Sequence, residues 1–493
     1  MSIHFDDLLS VAHEKNQGID GKRLHGVFEF ASEKHLGQVR QTGEPYISHS
    51  LFVAKTIADW GLGQSSIEAA LLHDTPDMAG VLITEIQDKF GQEVADLVEA
   101  ANKVGQVKLR GSRNEDFLEN LRKMFVAMAK DIRVVLIRLA DRLHNVSTLE
   151  GIALSKQKRI ALETLEVYAP LAERLGMGKL KGELEDLSFP FIYPEEYQWV
   201  MEVAKPHFKY SEENIGDVIQ KIRQQLAKNN IKARVEGRPK RKYSLYKKLL
   251  RPEIDRDISL IHDLMAVRVI TPDTNSCYTI LGIIHQYWKP APNIGISDFI
   301  AQPKPNGYQS IHTKVFDNRG NIVEIQIRSE AMHEQAEYGA AAHFAYAQAK
   351  MAGVEDEKLE KGIGFKVTEK MSWVNQLAGW KQQVADTAES VKQYKLDALS
   401  EHIYVFSPKG DVFDLPAGST PVDFAFTVHS SLGYFLNTAK VNGRVVPLST
   451  PLHSGDLVEI IKSKQKRKPS RSWLQFVKTT KARSAVRKVS DKN

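Results

Sequence analysis

Apolar residues recur every three to four positions from the N-terminus to about residue 195, with few alternating stretches, so this part of the chain reads as helical. Residues 67–72, apolar except for Glu68, predict a buried helix, and Ile132, Val135, Leu136, Leu139 and Leu143 mark the apolar face of another. The turn Gly43-Glu44-Pro45-Tyr46 and the break at Pro76 punctuate the pattern. From about 230 to 345 strands alternate with helices. Residues 265–270 are a β-branched run, and 315–327 predict a hairpin turned at Asp317-Asn318-Arg319-Gly320. Residues 351–398 are charged and helical in pattern. A β-rich stretch follows, with turns at Pro408-Lys409-Gly410-Asp411 and Asn442-Gly443. No internal repeat is present. The pattern divides the chain into an all-α domain (1–195), an α/β domain (196–350), a helical connector (351–398), a small β unit (399–463) and a basic tail (464–493).

A chain of 493 residues is expected to hold about two to four domains, and at 42% hydrophobic it can bury several cores. The single cysteine, Cys277, excludes an internal disulfide and a cysteine-rich metal cluster. No apolar run is long enough to span a bilayer, and Met1-Ser2-Ile3-His4 does not begin a secretory signal, so a reducing cytoplasm is the expected compartment. A net charge of +6 permits polyanionic partners without requiring nucleic acid. The cluster Lys462, Lys464, Lys466, Arg467, Lys468 and Arg471 fits a solvated linker or a nucleic-acid contact.

Chemistry concentrates in two places. The doublet His73-Asp74 falls where the apolar helix 67–72 ends, and His49 and Asp141 complete a mixed nitrogen and oxygen donor set for a divalent metal. Asp141, Asn145 and Thr148 follow at steps of four and three, which puts them on one polar stripe. The order His, His-Asp, Asp with that stripe resembles the HD-type metallo-phosphohydrolases. In the second half, Gly237-Arg238-Pro239-Lys240-Arg241-Lys242-Tyr243-Ser244 is a cationic turn entering a helix, and Lys240, Ser244 and Lys248 recur every four residues. That face suits a polyphosphate, or equally a solvated basic helix. Downstream, the turn 303–312 carries Lys304, Asn306, Tyr308 and His312; the tyrosine can stack on a nucleobase while the cation and imidazole hold phosphates. In Val323-Glu324-Ile325-Gln326-Ile327-Arg328 the alternation sets Glu324, Gln326 and Arg328 on one face. Glu324 there can be a metal ligand or base, and Asp263 can supply a second carboxylate for Mg²⁺.

The ordered segments GRPK…YSLYKK, HDLMAVRV, PKPNGYQSIHT, VEIQIRS and MHEQAEYGAAAH resemble the long RelA/SpoT-type alarmone synthetase/hydrolases, as do Arg40…GEPYISH, ALLHD and RLADRLHNVST. The resemblance implies an HD-type helical domain, a nucleotidyltransferase-like α/β synthetase domain and a β-grasp TGS domain. It implies transfer of pyrophosphate from ATP to the 3′-hydroxyl of GDP or GTP, and hydrolysis of (p)ppGpp. On this analogy Arg238, Lys240, Ser244, Lys248 and Arg268 bind ATP, and Lys304, Asn306, Tyr308 and His312 bind the guanosine nucleotide. Asp263 and Glu324 would hold Mg²⁺ and act catalytically. His49, His73, Asp74 and Asp141 would hold Mn²⁺, with Arg40, Asn145 and Thr148 lining the alarmone pocket.

Three departures qualify the analogy. The family's hydrolase pair Glu-Asp is here Asp77-Met78, which leaves Asp77 as the catalytic acid or base and predicts weakened hydrolysis. The charged loop before the guanosine site is Gly295-Ile296-Ser297-Asp298, which leaves the GDP/GTP preference open. The TGS unit implies contact with ribosome or tRNA, but Tyr434 stands where ribosome-bound relatives place a histidine, which argues against that behaviour. Relatives usually continue into helical, zinc-binding or ACT domains, so a chain ending at Asn493 reads as truncated or naturally short. The alternatives are a synthetase whose helical domain only regulates, and a non-catalytic nucleotide-sensing or RNA-binding protein.

Overall fold

A computed structural model describes residues 3–105, 130–344 and 402–490, less residues 17, 252–253, 262–263, 293–295, 305, 318, 343, 409–411, 454–455, 464 and 466–468. The connector expected at 351–398 lies outside the described residues. Two compact units emerge, 3–344 and 402–490. No helix among the described residues is long and apolar enough to cross a membrane.

The first unit opens with helices, as its period predicts: α1 (Phe5–Lys15), α2 (Gly21–Lys34), α3 (Ile47–Asp59), α4 (Gln64–Leu72), α5 (Thr75–Ala79), α6 (Ile83–Phe90), α7 (Gln92–Gly105), α8 (Ile132–Ser147), α9 (Leu154–Glu163), α10 (Ala169–Arg174) and α11 (Gly178–Ile192). Local chemistry starts several of them. Asp20 accepts from the Lys22 and Arg23 amides at the head of α2, and Asp131 accepts from the Arg133 amide at the head of α8. Helices α3, α4 and α8 form the centre of this part, burying Val53, Ile57, Ile67, Leu71, Val135, Leu136 and Leu139. An ion pair enters that interior where Glu68 is fully buried against Arg23, at 2.7 and 2.8 Å. Helix α4 stops at Leu72, and Pro76, inside the first turn of α5, cannot continue a preceding helix. His73 and Asp74 therefore sit at a break between two helices, with His73 buried.

The unit continues with α12 (Pro194–Lys228), β1 (Arg234–Pro239), α13 (Lys242–Leu249), β2 (Met265–Thr271), α14 (Thr274–Tyr287), β3 (Ile296–Asp298), β4 (Ile311–Phe316), β5 (Ile322–Ser329) and α15 (Glu330–Tyr338). The strands form a mixed sheet in the order β1-β2-β5-β4-β3, in which β2 and β5 run parallel and the other pairs antiparallel. The predicted hairpin is β4–β5, its turn closed by Asp317, whose side chain accepts from the Arg319 and Asn321 amides. Val235, Val267, Val269, Ile311, Val315, Ile325 and Ile327 face the helices, packing on Ile215, Val218 and Ile222 of α12 and on Cys277, Ile280 and Ile284 of α14. Burying each such side chain contributes about 1.5–3 kcal/mol, so the pairing register is firmly held. The opposite face brings Glu236, Arg268, Gln326 and His312 into one row across four strands.

The second unit holds the hairpin β6 (His402–Phe406) and β7 (Val412–Pro416), helices α16 (Pro421–Val428) and α17 (Ser430–Tyr434), and a three-stranded sheet of β8 (Leu436–Val441), β9 (Arg444–Val446) and β10 (Val458–Lys462). The stretch expected as a tail contributes α18 (Thr480–Ser490) to this unit, and Val477, Ala482 and Val486 are fully buried in it. A single carboxylate secures that stretch. Asp423 is fully buried and accepts from the amides of Thr420, Lys478 and Thr479 and from the hydroxyls of Thr420 and Thr479. Tyr434 packs edge-on against Phe426 at 5.6 Å, partly buried against the core.

Candidate active sites

In the helical part, α3 supplies His49, the α4–α5 break supplies His73 and Asp74, and α8 supplies Asp141. Nitrogens of His49 and His73 and an oxygen of Asp141 lie within 4.8 Å of one another, and all three residues are buried. Asp74 joins them, 3.4 Å from His49 Nε2 and 3.3 Å from His73 Nε2. His49 Nε2 is also 3.3 Å from Asp141 Oδ1. Burial alone would lower the His49 pKa, but the carboxylates of Asp141 and Asp74 outweigh it and raise it above the ordinary imidazole value. Both carboxylates are held below their usual range despite burial, Asp74 by His73 and His49, Asp141 by Arg138 and His49. His73 Nδ1 donates to the Ala70 carbonyl at 2.8 Å, which turns Nε2 inward, where it is buried without an aligned hydrogen bond. Two inward nitrogens and two ionised carboxylates fit a hard or borderline divalent cation.

Around this cluster stand the other expected residues. Arg40 donates to Asn145 Oδ1 at 3.1 Å and to Thr148 Oγ1 at 3.4 Å, and Asn145 Nδ2 donates to Asp141 Oδ1 at 2.6 Å. Thr148 stands one residue beyond α8, at its C-terminal cap. Tyr46 donates its hydroxyl to Asp74 Oδ2 at 2.7 Å, and Arg138 pairs with Asp141 Oδ2 at 2.7 Å. Asp77 is exposed on α5, and its neighbour Met78 is 48% exposed. Arg138 and His144 carry no signal of their own in the sequence, although His144 lies three residues after Asp141 on the same face of α8. Burial and the nearby charges of His49 and Arg40 push the His144 pKa down to about 3, so the ring is neutral.

In the α/β part the polar sheet face gathers charge. Arg238 Nη1 donates to Gln326 Oε1 at 3.3 Å, and Gln326 Nε2 donates to Glu324 Oε1 at 2.9 Å. Arg268 reaches Glu236 and Glu337, each at 3.3 Å, while Arg328 reaches Glu337 at 3.0 Å and His333 Nδ1 at 2.6 Å. Burial, Arg328 and Arg238 together push the Arg268 pKa down to about 10, and burial with Arg328 pushes His333 down to about 4. Three guanidinium-bearing residues on one sheet face have the charge and fork geometry to receive phosphate groups. Glu337 and His333 of α15 carry no mark of their own in the sequence: Arg328 lies only nine and five residues away, but Arg268, the other partner of Glu337, lies far back in the chain.

Beside this cluster, Tyr308 OH lies 2.8 Å from His312 Nε2, and His312 Nδ1 lies 3.4 Å from Glu324 Oε1. Lys304 Nζ sits 5.1 Å from the Tyr308 ring centroid and 4.7 Å from that of Phe299, and its burial lowers its pKa. Asn306 uses its side chain locally, accepting from the Tyr308 amide at 3.2 Å and so shaping the turn. Helix α13 places Ser244 in its first turn and Lys248 in its last, with Lys240 just ahead of it. The helix start is partly taken already, since the Tyr243 amide donates to Asp186 Oδ1 at 3.0 Å. Asp263 lies outside the described residues.

Three domain families match the chain: the HD domain over residues 27–178, a region found in RelA and SpoT proteins over 237–351, and the TGS domain over 403–462. A GTP pyrophosphokinase of Myxococcus xanthus is 43% identical over 93% of this chain and 59% of its own length. A guanosine-3′,5′-bis(diphosphate) 3′-pyrophosphohydrolase of Aquifex aeolicus is 43% identical over 94% of this chain and 64% of its own length. The bifunctional (p)ppGpp synthase/hydrolase SpoT of Escherichia coli is 41% identical over 95% of this chain and 64% of its own length. The chain thus spans roughly three-fifths of the length of these relatives, between 59% and 64%.

Proposed function

This chain belongs to the RelA/SpoT family, with an HD domain, a RelA/SpoT region and a TGS domain in that order, and on that premise we propose that it both makes and breaks down (p)ppGpp in the cytoplasm. In synthesis the 3′-hydroxyl of GDP or GTP attacks the β-phosphorus of ATP, the bond from that phosphorus to the oxygen shared with the α-phosphate breaks, and AMP leaves. Glu324 takes the hydroxyl proton. Arg238, Lys240, Ser244, Lys248 and Arg268 hold ATP; Lys304, Asn306 and His312 hold the guanosine nucleotide, on which Tyr308 stacks. Such a transfer depends mainly on alignment and charge neutralisation, which these groups supply. Glu324 and Asp263 hold Mg²⁺, which when bound screens the phosphate charge.

In the helical site His49, His73, Asp74 and Asp141 hold Mn²⁺, which when bound polarises a phosphate and acidifies a water. Arg40, Asn145 and Thr148 bind the alarmone, and Asp77 handles the water proton. The observation that carries the whole reading is two sites of opposite character in one chain: a buried His-His-Asp cluster and a guanidinium-lined sheet face. Incubation with labelled ATP and GDP should give guanosine tetraphosphate and AMP, and the purified product returned with Mn²⁺ should release pyrophosphate. Absence of both products defeats the proposal.

Tyr308 is expected to bind guanine through its ring face. Tyr308→Phe loses only the contact to His312 Nε2 and should raise KM for GDP mildly, while Tyr308→Ala removes a stacking contribution of about 1–3 kcal/mol. Equal defects in the two variants would assign the effect to the hydroxyl.

A second reading, a synthetase whose helical domain only regulates, draws support from Met78, which can neither take a proton nor orient a water. General-base assistance is typically worth about 10²–10⁴-fold, so partial loss should slow hydrolysis without ending it. Converting Asp77-Met78 to Glu-Asp should therefore speed Mn²⁺-dependent pyrophosphate release. An unaltered chain that already hydrolyses as fast as the converted one shows that Asp77 suffices.

A further inference from the structure

The HD cluster contains a third buried imidazole that the proposed chemistry does not use. His144 Nδ1 lies 2.6 Å from Arg40 Nη1 and 2.8 Å from His49 Nδ1. The ring is buried, and it is packed on Phe52 with centroids 4.4 Å apart. A guanidinium has donors only, so at hydrogen-bond distance from Arg40 the His144 Nδ1 must be the acceptor, with its own proton on Nε2. The His49 nitrogen facing that acceptor must then carry a proton. This leaves His49 Nε2 as the nitrogen turned toward Asp141 and Asp74, at 3.3 and 3.4 Å.

Building on the metal reading of the HD cluster, we propose that His144 is a positioning residue that fixes the tautomer and ring angle of His49, so that the Nε2 lone pair faces the cation. The same task is done for His73 by a main-chain carbonyl, Ala70 O at 2.8 Å from Nδ1. His49 and His73 thus both have Nδ1 engaged and Nε2 turned inward, one by a side chain and one by the backbone. Arg40 completes the relay from the other end. Because Arg40 can only donate, the one lone pair of His144 Nδ1 is shared as acceptor between Arg40 and His49.

The outer partner of a metal-bound histidine is typically worth about 10–100-fold in metal affinity. Titration calorimetry of the full chain with Mn²⁺ alone reads this directly, without substrate or turnover. His144→Phe keeps a ring against Phe52 but offers no acceptor, and should weaken Mn²⁺ binding by about 10–100-fold, with a thermal melt to check that the variant is folded. His144→Asn sets an amide oxygen near the position of Nδ1, and should restore most of that affinity. Phenylalanine binding Mn²⁺ as tightly as the unaltered chain overturns the proposal, as do equal losses in the asparagine and phenylalanine variants. An unaltered chain that takes up no Mn²⁺ overturns the metal reading and this inference with it, and so separates that failure from the failure of His144 alone.

Discussion

Replacing Glu324 with glutamine is expected to lower alarmone synthesis by about 10²–10³-fold, a loss of ~2.7–4 kcal/mol of transition-state stabilisation, while the fold stays intact. Glu324 lies on the polar face of β5, bonded to Gln326 Nε2 at 2.9 Å and 3.4 Å from His312 Nδ1. None of the apolar packing on α12 and α14 involves it. Glutamine keeps its volume and one carbonyl acceptor, so the neighbours are held, but it removes the charge and the base. Steady-state synthesis with saturating ATP and GDP, paired with a thermal melt, measures both halves of the expectation. A Glu324→Gln protein working near the unaltered rate would sink the assignment.

Hydrolysis should be lost from both His73→Asn and Asp141→Asn, but the two changes should differ sharply in stability. A bound cation supplies several kcal/mol of charge stabilisation. At about 1.36 kcal/mol per tenfold, losing even ~3 kcal/mol slows pyrophosphate release by roughly a hundredfold. Asp141 also pairs with Arg138 at 2.7 Å, and the side chains are only 5% and 13% exposed. Removing one partner of a buried pair leaves the other charge uncompensated, which typically costs about 3–5 kcal/mol. His73 makes no ion pair with an arginine or lysine among the described residues, so its asparagine variant should melt close to the unaltered chain. Mn²⁺-dependent pyrophosphate release and thermal melts on the two proteins check this. Retained hydrolysis in both would remove these residues from the site.

Much of this architecture is readable from residue order because the two strongest signals are local. The alternation in Val323-Glu324-Ile325-Gln326-Ile327-Arg328 dictates which side chains share a face, and β5 follows it. The apolar run ending at Leu72 predicts that His73-Asp74 lies at a helix end, and Pro76 explains why. What stayed hidden depends on partners far away in the chain. Glu337 matters because Arg268 and Arg328 converge on it, and no spacing within MHEQAEYG announces that. His144 shares a helix face with Asp141, but its role comes from Arg40 and His49, about a hundred residues earlier, where the separations are 104 and 95 residues. The stretch after residue 463 reads as a tail because its lysines and arginines dominate the composition. The buried Val477, Ala482 and Val486, and the amides captured by Asp423, are too sparse to stand out.

The two-faced strand β5 has a consequence for how this site can change by descent. One added or deleted residue there would exchange the faces, sending Glu324, Gln326 and Arg328 into the oily layer and Ile325 and Ile327 onto the polar face. Both functions of the strand would fail together. The lineage can therefore alter β5 by swapping letters, but not by changing its length. Insertions that survive selection should collect in the neighbouring exposed turn around Arg319 and Gly320, which Asp317 closes.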